Sequence, residues 1–180
     1  LEFAGEILKK IELKTNRLSR ENYLKNYMHL NNAIELLNDK KLQKDILMML
    51  QAAKTEKTFN KIFGIVSPHA GYMYSGKTAA YVYNLLKDKN YKTVIVISPS
   101  HAEYFPGISI YDGDAYETPL GIVEIDQTIT DKLVENSKTI FRGIQGHRKE
   151  HALEVQIPFL QSVLKDFKIV PIVMGDQSKM

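Results

Sequence analysis

Thr93-Val94-Ile95-Val96-Ile97-Ser98, followed by Pro99-Ser100-His101, is the stretch on which the reading of the fold turns. Four β-branched aliphatic residues stand in a row, with no polar residue between them. A half-solvated strand alternates apolar with polar, so a continuous run of this kind is expected of the buried middle of a sheet. Pro99 then stops it, because proline has no N–H to give to a ladder. Upstream, Ile62–Ser67 is a second short apolar run that also leads into Ser, Pro and His, and Lys77–Leu86 has a helical pattern. Downstream, Ile108–Tyr111 reads as a strand and Tyr116–Gly121 as a turn carrying Pro119 and Gly121. Ile122–Ile125 reads as a short strand, and Asp126 as the cap of a helix running to about Glu135. Glu150–Leu164 is helical in pattern, with Pro158 beginning, bending or interrupting it, and Lys168–Met174 is a last strand. Strands alternating with helices predict an α/β domain over residues 61–180, with a mostly parallel central sheet flanked by helices.

The first 60 residues have another character. Gly and Pro are absent from residue 6 to residue 63, and apolar residues recur at helical spacing. Ile7, Leu8, Ile11 and Leu13 form one set, and Tyr23 to Leu37 behind Ser19 a second. Leu42, Ile46, Leu47 and Leu50 behind Asn38 or Asp39 form a third. Residues 1–60 are therefore expected to be a helical extension. The chain has 180 residues, long enough to bury a core without disulfide or metal staples, and it has no Cys. The lack of Cys leaves no thiolate ligand or thiol nucleophile in this chain and fits an intracellular, cytoplasmic protein. The formal net charge of +3 falls entirely in residues 1–60. A surplus so small and so diffuse does not suit nucleic acid, which calls for a concentrated basic face. The longest apolar runs are far short of a membrane span.

Three of the five histidines stand where chemistry is expected. His69 and His101 each follow an apolar run and a Ser-Pro step, at what would be the carboxyl ends of two strands, where open α/β sheets bind ligands. Neighbouring strands lie about 4.8 Å apart, so two such imidazoles can reach one ion at about 2.1 Å each. Ordinary loop histidines would give the same spacing. His151 opens the Glu150–Leu164 segment with Glu154 on the same helical face, which suits a ligand pair or an acid–base pair with an orienting carboxylate, and equally a solvated surface. His147 lies in a Gly-His-Arg loop and reads as solvated. Tyr72, Tyr74 and Ser100 flank the histidines and are candidate pocket residues. Gly71 to Thr78 has the spacing of a phosphate loop. Ser-Pro-His-Ala separates it from the preceding strand, however, and its Tyr-Met-Tyr interior would crowd a backbone wrapping phosphates, so it is not read as a nucleotide site.

Four ordered segments together resemble the signatures of the Memo family. They are Ser67-Pro68-His69-Ala70-Gly71-Tyr72-Met73-Tyr74-Ser75-Gly76, Ser98-Pro99-Ser100-His101, Tyr116-Glu117-Thr118-Pro119-Leu120-Gly121, and Glu150-His151-Ala152-Leu153-Glu154-Val155-Gln156-Ile157-Pro158-Phe159-Leu160. The resemblance implies the α/β fold of the class III extradiol dioxygenases. It implies that His69 and His101 are the metal-binding histidines, that His151 lines the same pocket as an acid–base group, and that the ion is Fe(II) or copper. It implies a place in the AmmeMemoRadiSam system beside a radical-SAM protein and a further small companion. Two features depart from the family pattern. Phe3-Ala4-Gly5 only faintly echoes the usual segment before the first signature, and the family chain continues well past the last strand, with a further ligand in that part. Glu154 or Asp176 would be the substitutes here. Two functional readings follow. One is a metal-dependent oxidoreductase or dioxygenase-like enzyme. The other is a non-catalytic binding or scaffold module whose pocket takes a peptide or small ligand.

Overall fold

The computed structural model describes residues 39–178. The two helices expected between Ile7 and Leu37 lie outside that range. The described elements are α1 (Asp39–Ala52), a π-type turn (Tyr72–Gly76) running into α2 (Lys77–Asn84), β1 (Thr93–Pro99), β2 (Ile108–Tyr111), β3 (Ala115–Thr118), β4 (Gly121–Glu124), α3 (Gln127–Glu135), β5 (Ile140–Gly143), a 3₁₀ turn (Glu154–Gln156) running into α4 (Ile157–Val163), and β6 (Lys168–Met174). The central sheet has the order β1-β6-β2-β5. β6 runs parallel to β1, β5 runs parallel to β2, and only the β2–β6 pair is antiparallel. Pairing of β2 with β6 ends at Ile110↔Ile172, beside Pro171, which has no N–H to donate. β3 and β4 form a separate hairpin.

The sheet is an α/β layer with helices on both faces. On β6, Ile169 and Val173 point into a core built with α1 (Leu42, Ile46, Leu50), α2 (Ala79, Ala80, Tyr83) and α4 (Ile157, Phe159, Leu160). Val170 and Ile172 point the other way, against Ile129, Leu133 and Val134 of α3. β6 is thus buried on both faces. That corrects the expectation for Thr93–Ser98: β1 is an edge strand, with Val96 and Ser98 buried on one face while Ile95 and Ile97 are 49% and 62% exposed on the other. The apolar run forms a strand as expected, but its second face is left open at Ile95 and Ile97.

Ile62–Ser67 forms no strand. The Ile62 N–H and C=O are both satisfied by the Tyr91 hydroxyl, at 3.1 and 2.7 Å, rather than by a ladder. Ile62 and Ile65 pack on the core while Phe63 and Val66 stand in solvent. The segment read as a turn over Tyr116–Gly121 is half strand: Tyr116 pairs with Val123 and the true reversal is Pro119-Leu120. β5 has only two apolar residues and was not expected from the sequence. Asp126 does cap α3, its carboxylate accepting the Ile129 N–H at 3.0 Å. Pro158 begins α4 rather than breaking it, since the first turn of a helix needs no N–H there.

Candidate functional site

The parallel pair β1–β6 ends together, Pro99 opposite Met174, and the chain beyond each strand is stitched to the other. The Ser100 N–H donates to Met174 O at 3.0 Å, and Gln177 Nε2 donates to Ser100 O at 2.9 Å. Gly175 lets the two segments approach: a Cβ there would lie 2.2 Å from the Phe105 carbonyl oxygen. An open concavity of about 440 Å³ results, with His101, Tyr104, Asp176 and Gln177 in its lining. This is the crevice beyond the carboxyl ends of strands where such sheets bind ligands.

His101 projects from the first turn past β1. His69 comes beside it from a loop, not from the end of a strand. That loop is held by side chains. Gln156 Nε2 donates to Pro68 O at 3.2 Å, Ser75 Oγ donates to Ala70 O at 2.9 Å, and the buried Tyr83 hydroxyl donates to Gln156 Oε1. The ring centres of His69 and His101 stand 5.1 Å apart with a 40° tilt. The sequence expected these two imidazoles to meet, and the chain does place them side by side.

Glu150 lies at the centre of the arrangement, and no role for it is legible in the sequence. It is buried, and its carboxylate accepts four N–H groups. Oε2 takes the His101 backbone N–H at 2.6 Å. Oε1 takes the His101 ring Nδ1 at 2.9 Å and the backbone N–H groups of His151 at 3.0 Å and Ala152 at 2.9 Å. Burial alone would raise its pKa, but these hydrogen bonds outweigh that and hold it below the ordinary carboxylate value. The signal available was Glu150 itself, directly before His151 in the fourth motif; its partner is forty-nine residues away in sequence and could not be read. His151 precedes the 3₁₀ turn, half exposed, with Nδ1 3.3 Å from Glu154 Oε2. That contact raises the His151 pKa above its usual value, against a smaller opposing effect of burial.

The other candidates divide. Tyr72 is turned inward, its hydroxyl donating to Val155 O at 3.1 Å and its ring edge-on to Phe159, and burial pushes its pKa far up. It braces the His151 segment against the π-type turn. Tyr74 is exposed. The Ser100 hydroxyl closes its own turn by donating to Glu103 O. His147, expected in solvent, is buried, with Nδ1 2.8 Å from the Tyr116 hydroxyl and the Tyr111 ring centre 5.4 Å away, tilted by 59°. It belongs to the core of the hairpin side. Among the described residues no three His, Cys, Asp or Glu side chains converge as a ready metal cluster, and no helix is long and apolar enough to cross a membrane.

A two-faced α/β sheet with a histidine pair, a buried carboxylate and a third histidine beyond the ends of two parallel strands defines the class. The family model described as Memo-like protein matches residues 23–180, and the chain belongs to that family. It is 43% identical over 118 residues to a MEMO1 family protein of Nitrosopumilus maritimus, covering 65% of this chain and 43% of that one. It is 43% identical over 117 residues to one of Thermoplasma volcanium, covering 64% and 44% respectively. With one of Methanosarcina acetivorans it shares 36% identity over 144 residues, 79% of this chain and 51% of the relative. The chain thus spans about half the length of the curated relatives it matches.

Proposed function

We propose that His69 and His101 hold a redox-active metal ion, Fe(II) or copper, and that the protein serves a metal-dependent oxidoreductase or dioxygenase-like reaction. The observation that carries this reading is the 5.1 Å separation of the two imidazole rings at the sheet crevice. Ring nitrogens bound to one ion at about 2.1 Å, with the bonds meeting between a right angle and the tetrahedral angle, set ring centres roughly 5 Å apart. Neutral imidazoles suit both metals, and sites with open positions beside two histidines suit Fe(II). Bound there, the ion would supply electron transfer to or from a substrate or O₂.

The chain's own residues would do the rest. Glu150 fixes His101 against the His151 segment. His151, with its proton affinity raised by Glu154, can pass a proton to a bound substrate. Tyr104, exposed on the lining beside His101, offers a ring face and a hydroxyl for a substrate to rest on. The same exposed ring supports a second reading, a module that holds a peptide or small ligand without turnover.

The test is metal content by plasma mass spectrometry on anaerobically purified protein, wild type beside the His69→Ala/His101→Ala double variant. Near-stoichiometric iron or copper in the wild type, lost in the double variant, is expected. A wild type that takes up neither metal after anaerobic reconstitution refutes the metal reading and leaves the binding module.

A further inference from the structure

Glu150 is the only carboxylate that the described structure places on either of the paired histidines, and every group against it is a donor. An ionised carboxylate can only accept. The 2.9 Å contact to His101 Nδ1 therefore needs the ring to donate from Nδ1. Its neutral imidazole then carries its lone pair on Nε2, the far side of the ring. A carboxylate on one nitrogen that orients and electronically enriches the other is a recurrent device around metal-binding histidines.

We infer that Glu150 is a positioning residue that locks neutral His101 in its Nδ1–H tautomer, so that Nε2 is presented to the crevice beside His69. Its grip is doubled. The same carboxylate holds the His101 backbone N–H and the backbone N–H groups of His151 and Ala152, so the turn after β1 and the turn carrying His151 share one anchor. A change in one turn is felt in the other through a single carboxylate. Glutamine cannot replace it: one of its two terminal atoms is an amide NH₂, and either orientation sets that NH₂ against a backbone N–H. The consequence for an ion rests on the reading of His69 and His101 as ligands, whereas the tautomer does not.

The experiment is a long-range ¹H–¹⁵N correlation of the imidazole nitrogens in metal-free protein at a pH where His101 is neutral, for wild type, Glu150→Gln and Glu154→Gln. Anaerobic Fe(II) titration of the same three proteins accompanies it. The expected wild-type pattern has a protonated, pyrrole-like Nδ1 and a bare, pyridine-like Nε2 at His101. In Glu150→Gln that pattern is lost toward the Nε2–H form, and Fe(II) affinity falls by about 10–100-fold. Glu154→Gln leaves His101 as in the wild type. A wild-type His101 protonated on Nε2 overturns the inference, and so does a Glu150→Gln protein with an unchanged His101 tautomer. If Glu150→Gln does not fold, the wild-type spectrum decides alone. A correct tautomer in a wild type that binds no Fe(II) supports the positioning role while counting against iron as the ligand's target.

Discussion

Replacing Tyr83 by phenylalanine removes one oxygen from a buried stack and tests how the His69 loop is held. The Tyr83 ring lies flat on Phe159, with centres 4.9 Å apart and planes 3° from parallel, and the substitution leaves that contact in place. No cavity large enough to matter is created. The hydroxyl, however, donates to Gln156 Oε1, and Gln156 is itself buried with its Nε2 committed to Pro68 O and Ala152 O at 3.2 Å each. Phenylalanine strands the amide oxygen in an apolar surround. Leaving one buried acceptor unsatisfied costs about 1–3 kcal/mol, more than the net worth of the bond itself. With a urea dependence of about 1–3 kcal/mol per molar, the unfolding midpoint should fall by roughly 1 M. Far-UV circular dichroism can follow the transition, since the chain has no Trp for fluorescence. Hydrogen exchange adds the local readout. The Tyr74 and Ser75 N–H groups, both bonded to Gly71 O, should lose protection more than amides of β6. An unfolding free energy unchanged within about 0.5 kcal/mol, with protection of Tyr74 and Ser75 intact, would refute the tether and leave the place of His69 without a cause.

Other perturbations follow from the same framework. Asp126→Ala removes the cap of α3 and the 2.6 Å acceptor of the Thr93 hydroxyl, and should cost about 1 kcal/mol by urea denaturation. The Thr93 hydroxyl and the Ile129 N–H hold the Asp126 pKa below its ordinary value, so its contribution is present above that value and fades as pH falls through the folded pKa; the gap between variant and wild type should close in acid. Gly146 adopts φ +75°, and a Cβ there would lie 2.6 Å from Val173 Cγ1 and 2.7 Å from the Phe105 ring. Gly146→Ala should therefore destabilise by about 1–3 kcal/mol, read as a lowered thermal midpoint. Ile97 and Ile172 are partners in register on the same face of the sheet, yet only Ile172 lies under α3. Ile172→Ala should cost about 2–5 kcal/mol and Ile97→Ala under about 1 kcal/mol; equal losses would mean that something covers β1 in solution.

The parts of the fold that the sequence made legible are those specified locally. The cap at Asp126 and the strands β2 and β6 are each written in neighbouring residues, and each stands where expected. Placement across the sheet is not local. Thr93–Ser98 is as apolar as β6, and nothing inside it says that β6 lies between two strands and β1 at the edge. Ile62–Ser67 shows the same limit from the other side. Its composition suits a strand, but a strand exists only where a ladder partner stands, and the Tyr91 hydroxyl takes the Ile62 amide groups first. His147 looked solvated because glycine and arginine flank it, whereas its surroundings are Tyr111 and Tyr116, brought by β2 and the hairpin.

The site obeys the same division, and that bears on how it works. The histidines were legible because each sits in a short motif. What brings them together is written elsewhere: Tyr83 on α2, Gln156 ahead of α4, and Glu150 a step before His151. Gln156 and Glu150 both belong to the one segment that also carries His151. That segment reaches Pro68, the residue before His69, through the Gln156 amide and His101 through the Glu150 carboxylate, so a single short stretch of chain touches both of the turns that carry the paired imidazoles. A displacement of residues 150–156, for instance by substitution of Tyr72 beneath them, would act on both turns together. The distance between His69 and His101 should therefore depend on the His151 segment, and if the two rings hold a metal as proposed, Tyr72→Phe, which frees the Val155 carbonyl from its hydroxyl donor, should weaken its uptake without touching either histidine. Metal binding unchanged in Tyr72→Phe, in a protein whose exchange protection at residues 150–156 has fallen, would separate the two and show that the imidazoles are held independently.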